Sequence, residues 1–157
     1  MNEQNINIST VLSIIQIINN KFYDIYENYQ KNILNINNTY VEDPYDYYLN
    51  GHCASYSKIL CNIFKEYSIK YYSSNHIITK IGDCFYDVAG LIEPTQLKYY
   101  HKINDNYDEE YYINTLFNNS DELEKYLEKN LIEFGLKQIN KLNSNKVLIK
   151  KLPIYNK

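Results

Sequence analysis

Tryptophan is absent from this sequence of 157 residues, and glycine, proline and cysteine are scarce, with four, three and three residues respectively. A small and odd number of cysteines is not typical of the disulfide frameworks that hold small secreted domains together. Lysine and arginine form no basic run, and the formal net charge is −3. The electrostatic pattern of a nucleic-acid-binding protein is therefore missing, and we expect no nucleic-acid partner.

Long apolar runs are missing as well. The apolar residues of segment 11–18 are interrupted by Ser13 and Gln16, no basic segment precedes them, and no stretch approaches the roughly 20 apolar residues of a membrane span. This pattern predicts a cytoplasmic protein without a membrane partner, located in the host cytoplasm if the gene is viral. The apolar share of 45% is normal for a globular protein, and residues 1–157 suit a single domain.

Tyrosine, in contrast, is abundant, with 19 residues. AT-rich coding explains this abundance together with that of asparagine, isoleucine and lysine. Alternatively, adjacent pairs such as Tyr71-Tyr72 and Tyr99-Tyr100 could form a binding face, because exposed aromatic side chains that cluster in space mark interfaces.

Helical spacing dominates the first part of the chain. Ser9 is a candidate N-cap of a first helix over residues 9–30, and a second helix opens at Asn50-Gly51. In both helices apolar residues recur at steps of three and four, so each is expected to pack one face against the domain. The stripes are Val11, Ile14, Ile15, Ile18, Phe22, Ile25, Tyr26 and Tyr29 in the first helix, and Cys53, Tyr56, Ile59, Leu60, Ile63, Phe64 and Tyr67 in the second.

After the second helix the apolar period changes to two, which predicts strands. The predicted strands are residues 68–72, 76–81 and 84–89. Gly82-Asp83 is a suitable two-residue hairpin turn, and Gly90 is expected to end the hairpin.

The last third of the chain predicts a third helix and a last strand. The helix is expected from residue 119 or 120, Gly135 is expected to end or bend it, and residues 146–152 resemble a strand. The helix carries Leu123, Leu127, Leu131 and Phe134 on one face.

This order of elements predicts an α+β fold, with N-terminal helices and a nucleophile-bearing helix packed on an antiparallel sheet. Residues 9–30 form the N-terminal helix, and residues 50–90 form the core that carries the chemistry. Residues 91–157 complete the sheet and add the C-terminal helix.

Chemically reactive residue types cluster in the core. All three cysteines, two of the three histidines and three of the four glycines lie between Gly51 and Gly90. Cys53 falls in the first turn of the second helix, where unpaired N–H groups and the helix dipole stabilise a thiolate. An adjacent imidazolium stabilises the anion further and later returns the proton, so a nucleophilic cysteine requires a nearby histidine.

The hairpin register identifies that histidine and an acid. With the turn at residues 82–83, His76 and Asp87 become diagonal neighbours on one face, with Cβ atoms within roughly 5–8 Å, whereas Asp83 lies in the turn itself. A carboxylate at that distance can reach the imidazole. Cys53, His76 and Asp87 are therefore the predicted nucleophile, base and orienting acid of a catalytic triad.

These motifs resemble a known superfamily. Segment 50–56 (NGHCASY), followed by His76 and by segment 86–90 (YDVAG), is similar to the core of the papain-like and transglutaminase-like cysteine hydrolases. The resemblance implies a helix with a Cys-His-Asp triad on an antiparallel sheet. The superfamily includes peptidases, amidases, deamidases, transglutaminases and arylamine acetyltransferases, so a fold and a triad are implied but not a substrate.

One departure from that pattern concerns the oxyanion hole. Papain-type enzymes carry a glutamine a few residues before the nucleophile, whereas the nearest upstream glutamine here is Gln30. Asn50, His52 or a backbone N–H group is expected to line the site in its place.

The other cysteines are expected to be structural, with Cys61 in the core and Cys84 on the opposite face of its strand. A zinc site formed by His52, Cys53, His76 and Cys84 is an alternative that no paired C-x-x-C or H-x-x-x-H spacing supports. We therefore expect no metal and no cofactor.

Two functions remain open. The first is a thiol-dependent hydrolase or acyltransferase that acts on an amide, ester or thioester carbonyl of a protein or peptide substrate. The second is a non-catalytic binding or inhibitory protein, encoded by a phage, on the same scaffold. Its support is the small size, the tyrosine content and the missing glutamine. Hydrolysis, deamidation, acyl transfer and cross-linking share one nucleophile, so the sequence does not choose among them.

Overall fold

The computed structural model describes residues 6–103 and 121–150, and for residues 144–150 it describes the backbone alone. The fold is α+β, as predicted. Its helices are α1 (Ile8–Asn28), α2 (Pro44–Leu49), α3 (Cys53–Phe64) and α4 (Glu122–Lys150). Its strands are β1 (Ser68–Tyr72), β2 (Ile77–Ile81), β3 (Cys84–Asp87), β4 (Gly90–Leu91) and β5 (His101–Lys102). Shorter helical turns are Tyr29–Ile33, of π type, and Lys65–Tyr67 and Pro94–Tyr99, of 3₁₀ type.

The five strands form one antiparallel sheet in the order β4-β3-β2-β1-β5. Helix α3 lies against β1, β2 and β3, and α4 packs against both α3 and α1. The main core lies between these helices and the sheet, and it buries the apolar faces of all three long helices. Within residues 6–103 and 121–150, no helix combines the length and the apolar character that crossing a membrane requires.

Helix α1 forms from the predicted stripe, and all eight apolar residues of that stripe are buried. Its cap differs from the prediction. Asn7 precedes the helix in an extended conformation, and its Oδ1 accepts the N–H of Ser9 at 2.9 Å. Ser9 is therefore inside the first turn and is not the cap.

Helix α2 was not predicted, because it is only six residues long and lies in a polar connection. Asp43 caps it by accepting the N–H of Tyr45 at 2.8 Å, and Pro44 occupies the first position, where a missing N–H costs nothing. Gly51 has a φ of 103° and turns the chain between α2 and α3. Helix α3 consequently begins at Cys53, later than the predicted opening at Asn50.

The predicted hairpin register is confirmed. β2 and β3 pair as Ile81 with Cys84, Lys80 with Phe85, and Thr79 with Tyr86. Gly82 has a φ of 61°, a conformation that glycine adopts without strain.

The prediction that Gly90 ends the hairpin is wrong. Gly90 and Leu91 form β4, which pairs with Asp87 and Tyr86 of β3. The chain reverses between Asp87 and Gly90, and the φ of 107° at Gly90 permits this tight turn.

The structure corrects part of the predictions for the end of the chain. Gly135 does not end the last helix, since α4 continues through it to Lys150. The strand predicted at residues 146–152 is helical up to Lys150, and its last two residues lie outside the described part of the chain. Helix α4 begins at Glu122, and the predicted start at residue 119 or 120 also lies outside the described residues.

Candidate active site

Cys53 is the first residue of α3, so its sulfur lies at the positive end of a helix of 12 residues. No described side chain caps this helix terminus. Cys53 is 4% exposed, and none of the three cysteines is disulfide-bonded. The N-terminus of α3 is thus an environment that stabilises an anionic sulfur.

His76 and Asp87 lie at the same end of the hairpin. His76 immediately precedes β2, Asp87 is the last residue of β3, and the His76 Nε2 lies 3.2 Å from the Asp87 Oδ2. The other carboxylate oxygen of Asp87 accepts the N–H of Ala89 at 2.8 Å. Because both oxygens are engaged, the turn into β4 holds the carboxylate in the orientation that contacts the imidazole.

The His76 side chain connects this acid to the sulfur of Cys53. Burial lowers the pKa of His76, but hydrogen bonds with Asp87 and Cys53, and the charges of these two groups, outweigh burial and raise the pKa from 6.5 to about 9. The imidazole is therefore protonated at neutral pH. Since Asp87 engages Nε2, Nδ1 is the ring nitrogen that remains for the sulfur. The structure brings together all three residues of the predicted triad.

Two neighbouring spaces meet at these residues. A void of about 10 Å³, roughly the volume that one water molecule needs, is lined by Cys53, His76 and Asp87. An open cleft of about 680 Å³ lies beside it and shares with it His76, Asp87 and Leu49, at the end of α2. The other lining residues of the cleft are Ser73, Ser74, Asn75, Ile92, Thr95, Gln96, Tyr99 and Tyr100. The sulfur thus lies just behind the cleft, next to the imidazole.

Buried polar contacts hold the elements around the sulfur in register. The hydroxyls of Ser57 on α3 and Thr79 on β2 lie 2.7 Å apart. The Tyr56 hydroxyl donates to the Asn19 Oδ1 at 2.8 Å, and the Asn19 amide donates to the carbonyl of Val88 at 2.9 Å. This chain ties α1 and α3 to the residue that follows Asp87. Asn19 interrupts an apolar stripe, which is the signal in the sequence that could have identified it.

Asn50 and His52 occupy other positions than the triad. Asn50 is exposed at the end of α2. His52 stacks on the ring of Tyr47, with ring centroids 4.1 Å apart, and its Nδ1 pairs with the Oε2 of Glu124 on α4. Neither residue is among those that line the void or the cleft. Their predicted role at the oxyanion remains a prediction.

The two other cysteines lie away from the triad. Cys61 and Cys84 are both partly buried, and Cys84 packs against the main core from the strand face that it shares with Tyr86. Across residues 6–103 and 121–150, no three histidine, cysteine or acidic residues are grouped in a way that could hold a metal ion. The zinc alternative therefore gains no support from the described residues.

A match to one protein family covers most of the chain. Residues 30–144 match the model of a family described as Phage YunG-like protein. The chain belongs to this Phage YunG-like family. The match to the Phage YunG-like model includes Cys53, His76 and Asp87 and leaves out all of α1. The chain matches no curated protein and no solved structure.

Proposed function

We propose that this Phage YunG-like protein is a thiol-dependent hydrolase or acyltransferase related to the papain-like and transglutaminase-like enzymes. One observation carries the proposal: the His76 imidazole links the helix-tip thiol of Cys53 to a carboxylate, Asp87, that is itself fixed by a backbone N–H. A nucleophile, a proton carrier and an orienting acid in contact are the parts that thiol catalysis needs.

In the proposed reaction the Cys53 thiolate attacks a carbonyl carbon, a C–S bond forms, and the carbonyl π electrons move to oxygen. The His76 imidazolium gives its proton to the leaving nitrogen as the C–N bond breaks, which leaves a thioester on the enzyme. Water or an acceptor amine then loses a proton to His76 and displaces the sulfur, and the ion pair is restored. Asp87 holds the imidazole in one orientation throughout.

The proposed substrate is a protein or peptide, in the cytoplasm. Its support is the cleft beside His76 and Asp87, whose volume is within the range of ligand sites and whose other lining residues are uncharged. Hydroxyl and carboxamide groups such as those of Ser74, Asn75 and Gln96 can pair with peptide N–H and C=O groups. The chemistry proposed here requires no metal or cofactor.

Alkylation with iodoacetamide tests the proposal, because it reports the thiolate directly. At pH 6 an ordinary thiol is almost fully protonated, whereas a thiolate paired with an imidazolium remains reactive. We expect Cys53 to react at least about tenfold faster than Cys61 in the same molecule, with peptide mass spectrometry separating the two sites. Equal rates at pH 6 would contradict the proposal.

Variants of His76 and Asp87, each with a control variant elsewhere, test whether the fast alkylation of Cys53 depends on the triad. His76→Gln is expected to slow the alkylation of Cys53 at pH 6 by roughly tenfold, because the cation that stabilises the thiolate is gone. His101→Gln removes an exposed histidine on β5 and should leave the rate unchanged. Asp87→Asn is likewise expected to slow the alkylation of Cys53 at pH 6. Asp83→Asn, in the exposed hairpin turn, is its control and should leave the rate unchanged.

A second function is a non-catalytic binding or inhibitory protein encoded by a phage. The observation that favours it is the 4% exposure of Cys53, since a nucleophile must reach its substrate. The name of the matched family is consistent with a phage origin. On this hypothesis the thiol is a packing residue, so Cys53 should alkylate no faster than Cys61, and Cys53→Ala should retain the biological effect of the folded protein.

A further inference from the structure

Tyr100 lies at the end of the sheet where the triad meets, although it is far from the triad in sequence. Strand β5 pairs with β1 so that His101 opposes Tyr72. Tyr100, one residue earlier, therefore lies beyond the end of β1, beside the turn that leads to His76. The rings of Tyr100 and His76 meet edge to face, with centroids 6.4 Å apart, and both residues line the cleft.

Polar groups of the turn between β1 and β2 position the hydroxyl of Tyr100. It lies within hydrogen-bonding reach of Ser73. The Ser73 hydroxyl is in turn 3.3 Å from the Asn75 Oδ1 and 3.5 Å from the carbonyl of His76. The β1–β2 turn thus positions the phenol relative to the imidazole.

The Tyr100 hydroxyl also remains a donor at neutral pH. Burial raises its pKa, the Ser73 hydroxyl lowers it, and the charges of Asp87 and Cys53 raise it, with a net increase above 10.0.

Attack on a carbonyl creates a negative oxygen that needs preorganised donors, and we expect the backbone N–H of Cys53, the first residue of α3, to supply one. We propose that Tyr100 is a catalytic residue of the same site, whose hydroxyl donates the second hydrogen bond to the oxyanion formed when Cys53 attacks. This inference rests on the proposed thiol chemistry. Its geometric support is the placement of the phenol on the cleft wall, against the His76 ring, while Asn50 and His52 are absent from that wall.

Two reactions of the same sulfur separate oxyanion stabilisation from nucleophile activation. Acylation by p-nitrophenyl acetate forms a C–S bond, passes through an oxyanion and expels p-nitrophenolate. Alkylation by iodoacetamide displaces iodide at a saturated carbon and forms no oxyanion. We expect Tyr100→Phe to slow the acylation of Cys53 roughly 100-fold, the cost of losing one oxyanion donor, and to change the alkylation less than about twofold.

Tyr40→Phe is the matched control, because Tyr40 is 77% exposed and lines neither the void nor the cleft. It should leave both rates unchanged. Ser73→Ala keeps the phenol but removes the group that positions it, and should slow acylation alone by a smaller factor. If Tyr100→Phe fails to fold, Ser73→Ala provides the test in its place.

The outcomes are distinguishable from a failure of the thiol chemistry itself. If Tyr100→Phe slows both reactions equally, or neither, the role at the oxyanion is wrong while the activated thiol stands. An equal loss of acylation in Tyr40→Phe also overturns it. If wild-type Cys53 alkylates no faster than Cys61, the proposed function fails and this inference fails with it.

Discussion

At the residue scale, Asp87 divides its carboxylate between two tasks. One oxygen contacts His76, and the other closes the turn into β4 through the N–H of Ala89. The turn therefore constrains the acid before any substrate arrives. Asparagine at this position could keep one of these contacts, but it would lose the charge that favours a protonated imidazole.

His76 should make the stability of the fold depend on pH. Its pKa is raised on folding from 6.5 to about 9, so its contribution to the free energy of unfolding is complete below pH 6.5 and is lost as the pH rises toward 9. We expect wild type to lose about 2 kcal/mol more than His76→Gln between pH 6 and pH 9.5, after allowance for partial exposure. Urea unfolding across that range measures the difference.

The exposed His101 provides the control for this titration. His101→Gln should follow wild type at every pH, whereas Asp87→Asn should lower the pH at which the His76 ring titrates in NMR spectra. A His76→Gln curve that runs parallel to wild type would show that the imidazole gains no proton affinity on folding.

The triad residues could be predicted from the sequence because two periodicities determine them. A helical stripe places Cys53 in a first turn, and a two-residue turn sets the register that aligns His76 with Asp87. Tyr100 and Leu49 could not be predicted in this way. Tyr100 follows a 3₁₀ turn, and Leu49 ends a six-residue helix. Elements this short contain too few repeats for an apolar period to indicate which face is buried.

At the element scale, α4 crosses α3 and α1 at Gly135. A methyl group at this position would overlap the Ile63 Cδ1, would lie 2.9 Å from the Ile63 Cγ1 and would approach Ile18. The glycine thus allows α4 to approach the other two helices closely. Its intrinsic weakness as a helix former predicted a break, and the close packing of three helices overrides that preference.

We expect Gly135→Ala to destabilise the fold by about 1–3 kcal/mol, although alanine is the better helix former, because the added carbon overlaps Ile63. Lys129→Ala at an exposed position of the same helix should change stability by less than about 0.5 kcal/mol. Urea unfolding provides both values.

Shortening Ile63 tests the cause of this loss. Ile63→Val removes the carbon that the new methyl group would overlap, so Gly135→Ala should cost less in that background than in wild type. If the cost is the same in both backgrounds, the crossing is looser than the structure describes.

At the scale of the whole molecule, one buried pair connects the C-terminal helix to the residue before the nucleophile. Glu124 on α4 pairs with His52, and the two side chains are only 10% and 17% exposed. Tyr47 on α2 stacks on a face of the imidazole. Three elements therefore converge on the loop that precedes Cys53.

Glu124→Ala should destabilise the fold by about 2–4 kcal/mol, because it leaves the buried imidazole without its partner. Glu122→Ala removes a side chain that is 81% exposed in its ion pair with Lys125, and should cost less than about 1 kcal/mol. A double-mutant cycle with His52→Ala measures the coupling by urea unfolding. Additive effects of the two substitutions would show that the pair contributes no coupling energy.

The nucleophile helix and the hairpin that carries the imidazole and the carboxylate come from one uninterrupted stretch, from Cys53 to Asp87. Contacts between neighbours along the chain close small loops, which form quickly and at low entropic cost. We therefore expect the spatial relation of the three groups to be established early in folding, before the distant C-terminal helix docks. Evolution could then remodel either end of the chain while leaving this local unit to assemble by itself.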